Sequence, residues 1–281
     1  MDRRQFLIFS ALGGLALALP LARDAAAIPN TPSLSIVLDD AGADSHDLAN
    51  LEQLVEMKFP ATIAVIPRTT HEEAVLKTLS KAPYLDIFAH IPMEFEKMRN
   101  SDPKKDHSSW LEQTPRKVGE KYNPVQHAAI YAFDTPAIAV KILADDITHL
   151  NNILTQYGKK SIVGFNNHTG SLVTQDTEKM FALATYAKTH GLIIVDSKTT
   201  LPERPSVLFR EAKRVGATAY ERTVFLDLDV DPVKQLQTCY SILEKGKSVI
   251  AIGHIKEPAT ITALAQAQKT HGQYIRKISE I

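Results

Sequence analysis

The sequence has a single cysteine, Cys239, so an internal disulfide and a thiol-rich metal cluster are both excluded. It has no excess of either charge: 32 basic residues balance 32 acidic ones, which argues against a nucleic-acid partner and an anionic membrane surface. Beyond the N-terminus, no apolar run approaches the roughly 20 residues that span a bilayer. Its 281 residues, 44% of them hydrophobic, suffice for one large α/β domain or two smaller ones.

The N-terminal sequence, residues 1–27, has the layout of an export signal. A charged start precedes an apolar stretch from Phe6 to Leu21, and a run of alanines offers a cleavage site. Arg3 and Arg4 resemble the start of a twin-arginine signal; an ordinary secretory signal and an uncleaved anchor are the alternatives. We therefore expect a periplasmic or otherwise exported protein whose single domain is residues 33–281. After signal removal it should have no stable membrane insertion.

Short apolar runs alternate with amphipathic helical patterns along the rest of the chain. Most of the runs are continuous, which is typical of parallel strands covered on both faces. The runs are LSIVL (34–38), ATIAVI (61–66), LDIFA (85–89), SIVGF (161–165), LIIV (192–195), TVFL (223–226) and SVIAI (248–252). This alternation predicts a parallel α/β architecture, either a barrel or an open doubly wound sheet, in one domain.

Three of the intervening helices have recognisable ends. Cap residues, first-turn prolines and terminal glycines predict helices within Thr135–Gly158, Asp176–Gly191 and Asp231–Gly246. The polar segment Glu96–Pro124 lacks periodicity and is too long for a plain connection, so we expect a flap or insertion near a site. Its Trp110 either stacks on a sugar ring or anchors the segment.

Polar side chains follow most of these runs, at the points where the strands end. The carboxyl ends of parallel strands gather on one face, so these side chains should converge on one site. Turn chemistry alone favours Asn, Asp and Gly, and it does not account for histidine. The residues at these ends are Asp39 and Asp40; His90; Asn166, Asn167 and His168; Asp196 and Ser197; Asp227; and Gly253 and His254.

Carboxylates and imidazoles without thiols suit Zn²⁺ or another divalent first-row ion. Three protein ligands and one open position would leave a metal-bound water as the nucleophile. One acid of the Asp39–Asp40 pair would then hold the metal, and the other would be the base. The alternative is that the pair caps the next turn, with Gly42 supplying a positive φ.

Six ordered motifs point to a known family. They are IVLDDAG, HIPMEF, GFNNHTGS, VDSKT, RTVFLD and AIGHIKEPATI. Together they resemble the divergent polysaccharide deacetylase family, an outlying branch of the carbohydrate esterase family 4 superfamily, over Ser33–Ala267. The resemblance implies an irregular (β/α)7-type barrel, polysaccharide-deacetylase-like and a single domain. It also implies metal-dependent removal of N- or O-acetyl groups from sugars.

The resemblance also implies a role for each residue of the metal centre. Asp39 would be the general base, and Asp40 and His90 would be metal ligands, with Zn²⁺ as the preferred ion. Glu94 stands where the superfamily has the second histidine of its His-x-x-x-His motif. His168 is therefore our preferred third ligand, with Glu94 as the alternative.

Further residues are placed around this centre by the same resemblance. His254 would be an acid or an oxyanion stabiliser, and Asp196 would orient a histidine or bind substrate. Asn166, Asn167 and Arg222 are expected to bind substrate, and Arg222 could also pair with a carboxylate such as Asp39. The chain departs from its relatives at two positions, where Leu228 and Lys256 replace a frequent asparagine and a frequent histidine.

The expected function is an exported metal-dependent hydrolase that removes acetyl groups from an amino-sugar polysaccharide by attack of a metal-bound water. Its partner would be a polysaccharide or peptidoglycan-type glycan, with no nucleic acid involved. Hydrolysis of another ester or amide is a variant of this expectation. The alternative is a non-catalytic, glycan- or partner-binding protein of the cell envelope that retains the deacetylase barrel.

Overall fold

The eight strands of the described chain lie in one parallel sheet, in the order β6-β5-β4-β3-β2-β1-β8-β7. The computed structural model describes residues 31–95, 129–158, 160–198, 205–228 and 230–281. The predicted signal, residues 1–27, and the polar segment 96–124 with Trp110 lie outside the described residues. The strands are β1 (Leu34–Ala41), β2 (Ala61–Val65), β3 (Leu85–Met93), β4 (Gly164–Thr169), β5 (Ile193–Asp196), β6 (Ala219–Glu221), β7 (Val224–Phe225) and β8 (Val249–His254).

Helices connect the strands in the alternation that parallel pairing requires. In the described residues they are α1 (His46–Met57), α2 (Glu72–Leu79), α3 (Pro136–Tyr157), α4 (Thr177–Thr189), α5 (Leu208–Val215), α6 (Pro232–Leu243) and α7 (Pro258–His271). None of the helices within the described ranges combines the length and apolar character needed to cross a membrane.

The sheet curls into a barrel because its two edge strands are almost continuous in the chain. Only Arg222 and Thr223 separate β6 from β7, so the two edges lie within about 10 Å of each other. The Arg222 amide donates to Asp196 O of β5, and the Thr223 amide donates to Ile250 O of β8. One extended segment therefore pairs with β5 first and with β8 afterwards. The prediction of an irregular (β/α)7-type barrel in a single domain is confirmed, with the sixth strand along the chain split into β6 and β7.

Two layers of apolar side chains follow from this closure. Alternate strand residues point to opposite faces, so Ile36 and Leu38 face the helices while Val37 and Phe88 belong to a smaller inner cluster. Ile278, in the C-terminal segment, packs on that inner cluster. The Ile278 amide donates to the Thr62 hydroxyl near the start of β2, and the Ser279 amide donates to Asp86 near the start of β3. The segment therefore covers the amino ends of the strands. The polar residues lie at the other, carboxyl ends.

The predicted helix caps are present. Thr135 Oγ1 accepts the Ile138 amide, and Asp231 accepts the Val233 and Lys234 amides. Asp176 likewise caps α4 by accepting the Lys179 amide. The strand boundaries were less accurate, because register depends on the partner strand. The run predicted at 161–165 lies mostly before β4, whose six residues pair with Phe88–Met93. Asn166, Asn167 and His168 are thus inside a strand, and β6, with only three residues, went unpredicted.

Candidate metal centre and active site

The first strand brings two adjacent acids to the same site because its backbone is irregular there. Successive side chains of a regular strand point to opposite faces, so Asp39 and Asp40 would ordinarily diverge. The pairing of β1 with β2 shifts between Leu38 and Ala41, and Asp40 has a φ of 67°. Such a bulge re-aims a side chain, and the left-handed residue costs about 1 kcal/mol. Both carboxylates approach His90 Nε2, at 3.7 and 3.3 Å.

Three side chains from β1, β3 and β4 bring one ligand atom each to a common point. Asp40 Oδ1 lies 3.3 Å from His90 Nε2 and 2.9 Å from His168 Nδ1, and the two nitrogens are 3.1 Å apart. A tetrahedral ion with bonds of about 2.0–2.1 Å keeps its ligand atoms about 3.4 Å apart. The triangle of these three atoms is close to that size, so the group could hold a metal ion.

The donor atoms also suit a cation chemically. Within the described part of the chain, Asp40 Oδ1 is buried without a well-oriented hydrogen bond, despite the two ring nitrogens beside it. A buried carboxylate oxygen is costly unless a proton or a cation compensates its charge. Two imidazole nitrogens and one carboxylate oxygen are a set that Zn²⁺ accepts, and three ligands leave a further position open.

The two asparagines expected to bind substrate are buried and bonded to protein groups. Asn166 lies opposite His90 in the β3–β4 register and is fully buried. Its Oδ1 is 2.8 Å from His90 Nδ1, and its Nδ2 donates to Asp39 Oδ1 at 2.8 Å. The side chain of Asn167 accepts the Ser197 amide at 3.0 Å. Asn166 therefore lies behind the metal group. Asn167 joins β4 to the end of β5.

Asp39 and Asp40 differ in their affinity for a proton. Burial raises the pKa of Asp39 above its ordinary value, and the charge of Asp40 adds to this against the opposing effect of His90. Burial would raise the pKa of Asp40 as well, but the ring nitrogens of His168 and His90 outweigh it and hold this pKa well below its usual range. The adjacent acids are therefore suited to different tasks: Asp40 stays anionic, and Asp39 is the better proton acceptor.

His254 ends β8 directly opposite Asp39 in β1. Asp227 holds its ring, with Oδ1 accepting from His254 Nδ1 at 2.7 Å. The other carboxylate oxygen accepts the His254 amide at 2.8 Å and the Thr260 hydroxyl at 2.7 Å. A Cβ on Gly253 would approach that oxygen to 3.1 Å, which explains why glycine precedes the histidine. Asp227 is thus the acid that orients His254, a role the sequence did not reveal although this aspartate follows an apolar run.

The surroundings of His254 favour its charged form. Burial lowers the pKa of this imidazole, but the Asp227 hydrogen bond and the negative charge of Asp40 outweigh burial, so the net shift is upward. An imidazole whose pKa is raised holds its proton to higher pH, which suits it to act as a proton donor. The geometry is therefore compatible with the acid role expected for His254.

Asp196 was expected to be catalytic, but its contacts are those of an anchor. Its Oδ1 accepts the Lys198 amide at 2.9 Å, and its Oδ2 accepts the Ser206 hydroxyl at 2.8 Å and the Phe209 amide at 3.1 Å. These bonds tie the end of β5 to the start of α5. Asp196 was expected to orient a histidine or to bind substrate, whereas the acid that contacts the His254 ring is Asp227.

Glu94 and Arg222 also have structural contacts. Glu94 is outside the three-residue metal group, and its Oε2 accepts the Ala132 amide at 2.8 Å. Arg222 donates to the Ser197 carbonyl at 2.8 Å, and its guanidinium lies 3.8 Å from the centre of the Phe225 ring. Among the described contacts, the expected pairing of Arg222 with Asp39 is absent. The Arg222 side chain instead packs across the β6–β7 junction.

Lys256 lies at the rim of the site. Its Nζ is 3.3 Å from Asp40 Oδ2, the oxygen that faces away from the histidines, and 47% of its side chain is exposed. The frequent histidine of the relatives at this position is thus replaced by a cation beside a metal-ligand candidate. The lysine charge also helps to balance the two adjacent acids.

Comparison with known proteins identifies the family. A family model described as divergent polysaccharide deacetylase matches residues 138–279, about half of the chain. The chain belongs to this family. The matched residues include His168 and His254, whereas Asp40 and His90 precede them. The resemblance inferred from the motifs is confirmed.

This member of the divergent polysaccharide deacetylase family is similar to two curated bacterial proteins. An uncharacterized protein of Haemophilus influenzae is 26% identical over 243 residues, which are 82% of this chain and 69% of that protein. The uncharacterized protein YibQ of Escherichia coli is 25% identical over 270 residues, 94% and 68% of the two chains. Among solved structures, the uncharacterized protein ATU2773 of Agrobacterium tumefaciens has a TM-score of 0.61 at 14% identity, with 88% and 87% of the chains covered. That likeness shows a shared fold.

Proposed function

We propose that the protein is an exported, metal-dependent hydrolase that removes acetyl groups from an amino-sugar polysaccharide. The observation that supports this most strongly is the convergence of Asp40 Oδ1, His90 Nε2 and His168 Nδ1 at 2.9–3.3 Å beside a second buried acid, Asp39. Membership of the divergent polysaccharide deacetylase family supports the reaction class.

Asp40, His90 and His168 would hold one divalent ion, and their mixed nitrogen and oxygen donors favour Zn²⁺. A bound Zn²⁺ supplies a Lewis acid that polarises an acyl carbonyl and lowers the pKa of water. The chain itself supplies orientation, because two of the three ligands are fixed by neighbours. His90 is held by Asn166, and the second oxygen of Asp40 is held by Lys256.

Two further side chains move protons in this proposal. Hydrolysis adds water across the acyl C–N or C–O bond, so one group must accept a proton and another must return one to the leaving atom. Asp39 accepts the proton at the oxygen that is not bonded to Asn166. His254 donates a proton from Nε2 to the leaving nitrogen or oxygen, since its Nδ1 is held by Asp227. The products are acetate and a free amine or hydroxyl.

We also propose that the protein acts outside the cytoplasm. The charged start, apolar stretch and alanine-rich site of residues 1–27 support export, and Arg3–Arg4 support the twin-arginine route. Fractionation of cells that express the full chain tests the location. Substitution of both arginines by lysine should retain the protein in the cytoplasm if the twin-arginine route is used, whereas export by the general secretory route would continue.

The activity is tested by acetate release from acetylated chito-oligosaccharides and from peptidoglycan fragments. Zn²⁺-loaded protein should release acetate, and Asp39→Asn should lower kcat by at least about 10²-fold while it still binds Zn²⁺. Chelation alone is insufficient, because loss of a structural metal would give the same result. Sugar binding without acetate release by the metal-loaded protein would contradict the proposal and favour the glycan-binding alternative.

A further inference from the structure

One buried amide links the two halves of the site. Asn166 on β4 contacts His90 on the neighbouring β3 and Asp39 on β1, which lies three places away in the sheet. The second contact therefore crosses the inside of the barrel mouth. Both are 2.8 Å long, and the Asn166 side chain has no exposure to solvent. A residue so enclosed acts through the groups it touches.

The chemistry of these groups fixes the orientation of the amide. An ionised Asp39 carboxylate only accepts hydrogen bonds, so the NH2 group of Asn166 must face it. The amide oxygen then faces His90 Nδ1 and can only accept, so the histidine must carry its proton on Nδ1. In its neutral form His90 consequently presents the lone pair of Nε2 towards Asp40 and His168, as a metal ligand requires.

We propose that Asn166 is a positioning residue that fixes the tautomer of His90 for metal binding and holds Asp39 in its place as the base. This role rests on the proposed function for its catalytic half, but its effect on His90 belongs to the metal-free protein as well. Without the amide, His90 could place its proton on Nε2, where it would block the ligand position. Asp39 would also lose its one described amide donor.

Two variants separate the two halves of this role. Asn166→Ala removes both contacts, so we expect its affinity for Zn²⁺ to fall by about 10- to 100-fold. Asn166→Asp keeps an acceptor for His90 Nδ1–H but loses the donor to Asp39. We expect this variant to bind Zn²⁺ at least as tightly as the wild type, while its kcat for acetate release falls by at least about tenfold. Asn151→Ala is the control, since its Oδ1 accepts the Ile162 amide at 2.9 Å near the opposite end of β4.

The decisive readout is the tautomer of neutral His90 in metal-free protein, measured by ¹⁵N NMR of histidine-labelled samples at a pH high enough to remove one ring proton. The wild type, Asn151→Ala and Asn166→Asp should show His90 protonated on Nδ1, and folded Asn166→Ala should not. A neutral His90 with its proton on Nε2 in the wild type would overturn the proposal, as would an unchanged tautomer in folded Asn166→Ala. If Asn166→Ala does not fold, the Asn166→Asp variant decides the question. Neutral His90 protonated on Nδ1, together with retained Zn²⁺ affinity, would support the proposal. Neutral His90 protonated on Nε2 in this variant would overturn it.

The same measurements separate this inference from the proposed function. Titration of metal-free protein with Zn²⁺ alone gives the affinity of each variant independently of any substrate. A wild type that shows Nδ1–H at His90 but binds no Zn²⁺ would overturn the proposed function and support the role of Asn166 towards His90. A wild type that binds Zn²⁺ as tightly as folded Asn166→Ala would overturn the inference and leave the proposed function intact.

Discussion

At the scale of single residues, the site is organised by what each polar atom touches. Asp39 and Asp40 are chemically identical neighbours, yet Asn166 holds the first and two histidines face the second. These surroundings move the pKa values of the two acids in opposite directions. A pair of carboxylates separated in this way can divide the work of proton acceptor and ligand.

The third ligand can be decided by a matched pair of variants. His168 belongs to the converging group, whereas Glu94 bonds to the Ala132 amide. We expect His168→Ala to weaken Zn²⁺ binding by at least about 100-fold, because loss of a supporting partner alone costs 10- to 100-fold. Glu94→Gln should change the affinity by less than about threefold. Calorimetric Zn²⁺ titration checks both, and the reverse ranking would make Glu94 the ligand.

Asp227 and Asp196 provide a second matched pair. Asp227→Asn leaves the shape of the site unchanged but replaces the acceptor of His254 Nδ1–H, so kcat should fall by roughly 10²- to 10⁴-fold. Its Zn²⁺ affinity should stay within about threefold. Asp196→Asn breaks bonds that anchor α5, so it should lower the melting temperature rather than kcat. Steady-state kinetics and thermal unfolding of both variants distinguish these outcomes. A kcat loss confined to Asp196→Asn would return the orienting role to that residue.

At the scale of elements, the segment after β2 is tied to α3 by buried charges. Arg68 has a φ of 62°, and its Nε bonds to Asp146 Oδ1 at 2.9 Å. Nearby, His149 Nε2 lies 2.8 Å from Glu72 Oε1. These pairs join the start of α2 to the middle of α3, behind the loop that follows β2. The burial of Asp146 makes this connection sensitive to pH.

Burial, opposed by Arg68, raises the pKa of Asp146 to about 6. This folded-state pKa lies above the unfolded value of about 3.9, so the folded protein holds the proton more tightly. The resulting contribution to stability is complete below about pH 4 and is lost as the pH rises past about 6. Asp146→Asn cannot ionise, so its free energy of unfolding relative to wild type should increase by roughly 2–3 kcal/mol between about pH 4 and pH 7.5.

Urea denaturation of wild type and Asp146→Asn at the two pH values measures this difference. Asp145→Asn is the control, because Asp145 pairs with Lys141 on the surface and 53% of its side chain is exposed. Its stability difference from wild type should be nearly constant. An equally constant difference for Asp146→Asn would show that Asp146 is ionised in the folded protein throughout this range.

The sequence allows prediction of those features that depend on neighbouring residues. Capping by Thr135 and the apolar run before Asp39 are local, and the order of the motifs indicated the barrel. The bulge at Asp40 was not predictable, because it is defined by register against β2. Contacts between distant positions were hidden for the same reason: Asn166 reaches Asp39 across 127 residues. The pairing of His254 with Asp227 likewise depends on the closure of β7 against β8.

At the scale of the whole molecule, the candidate ligands connect separate strands of one closed sheet. Asp40 is on β1, His90 on β3 and His168 on β4, and these strands also form the core against the helices. An ion bound by all three would link parts of the chain that are far apart in sequence. Because the unfolded chain has no such site, ion binding should favour the folded state.

Zn²⁺ should therefore raise the melting temperature of the metal-free protein. A free Zn²⁺ concentration 100 times Kd adds about 2.7 kcal/mol to the free energy of unfolding. For a protein of this size we expect a shift of about 5–10 °C, since 1 kcal/mol corresponds to about 2–4 °C. Addition of a chelator should reverse the shift, and Asp40→Ala should lack it. An equal shift in Asp40→Ala would mean that Zn²⁺ stabilises the fold from another site.

Anomalous diffraction at the zinc edge, from a crystal of the Zn²⁺-loaded protein, tests the central claim most directly. We predict one strong peak at about 2.0–2.1 Å from each of Asp40 Oδ1, His90 Nε2 and His168 Nδ1. A fully occupied zinc peak bound elsewhere, with these three atoms uncoordinated, would contradict the account.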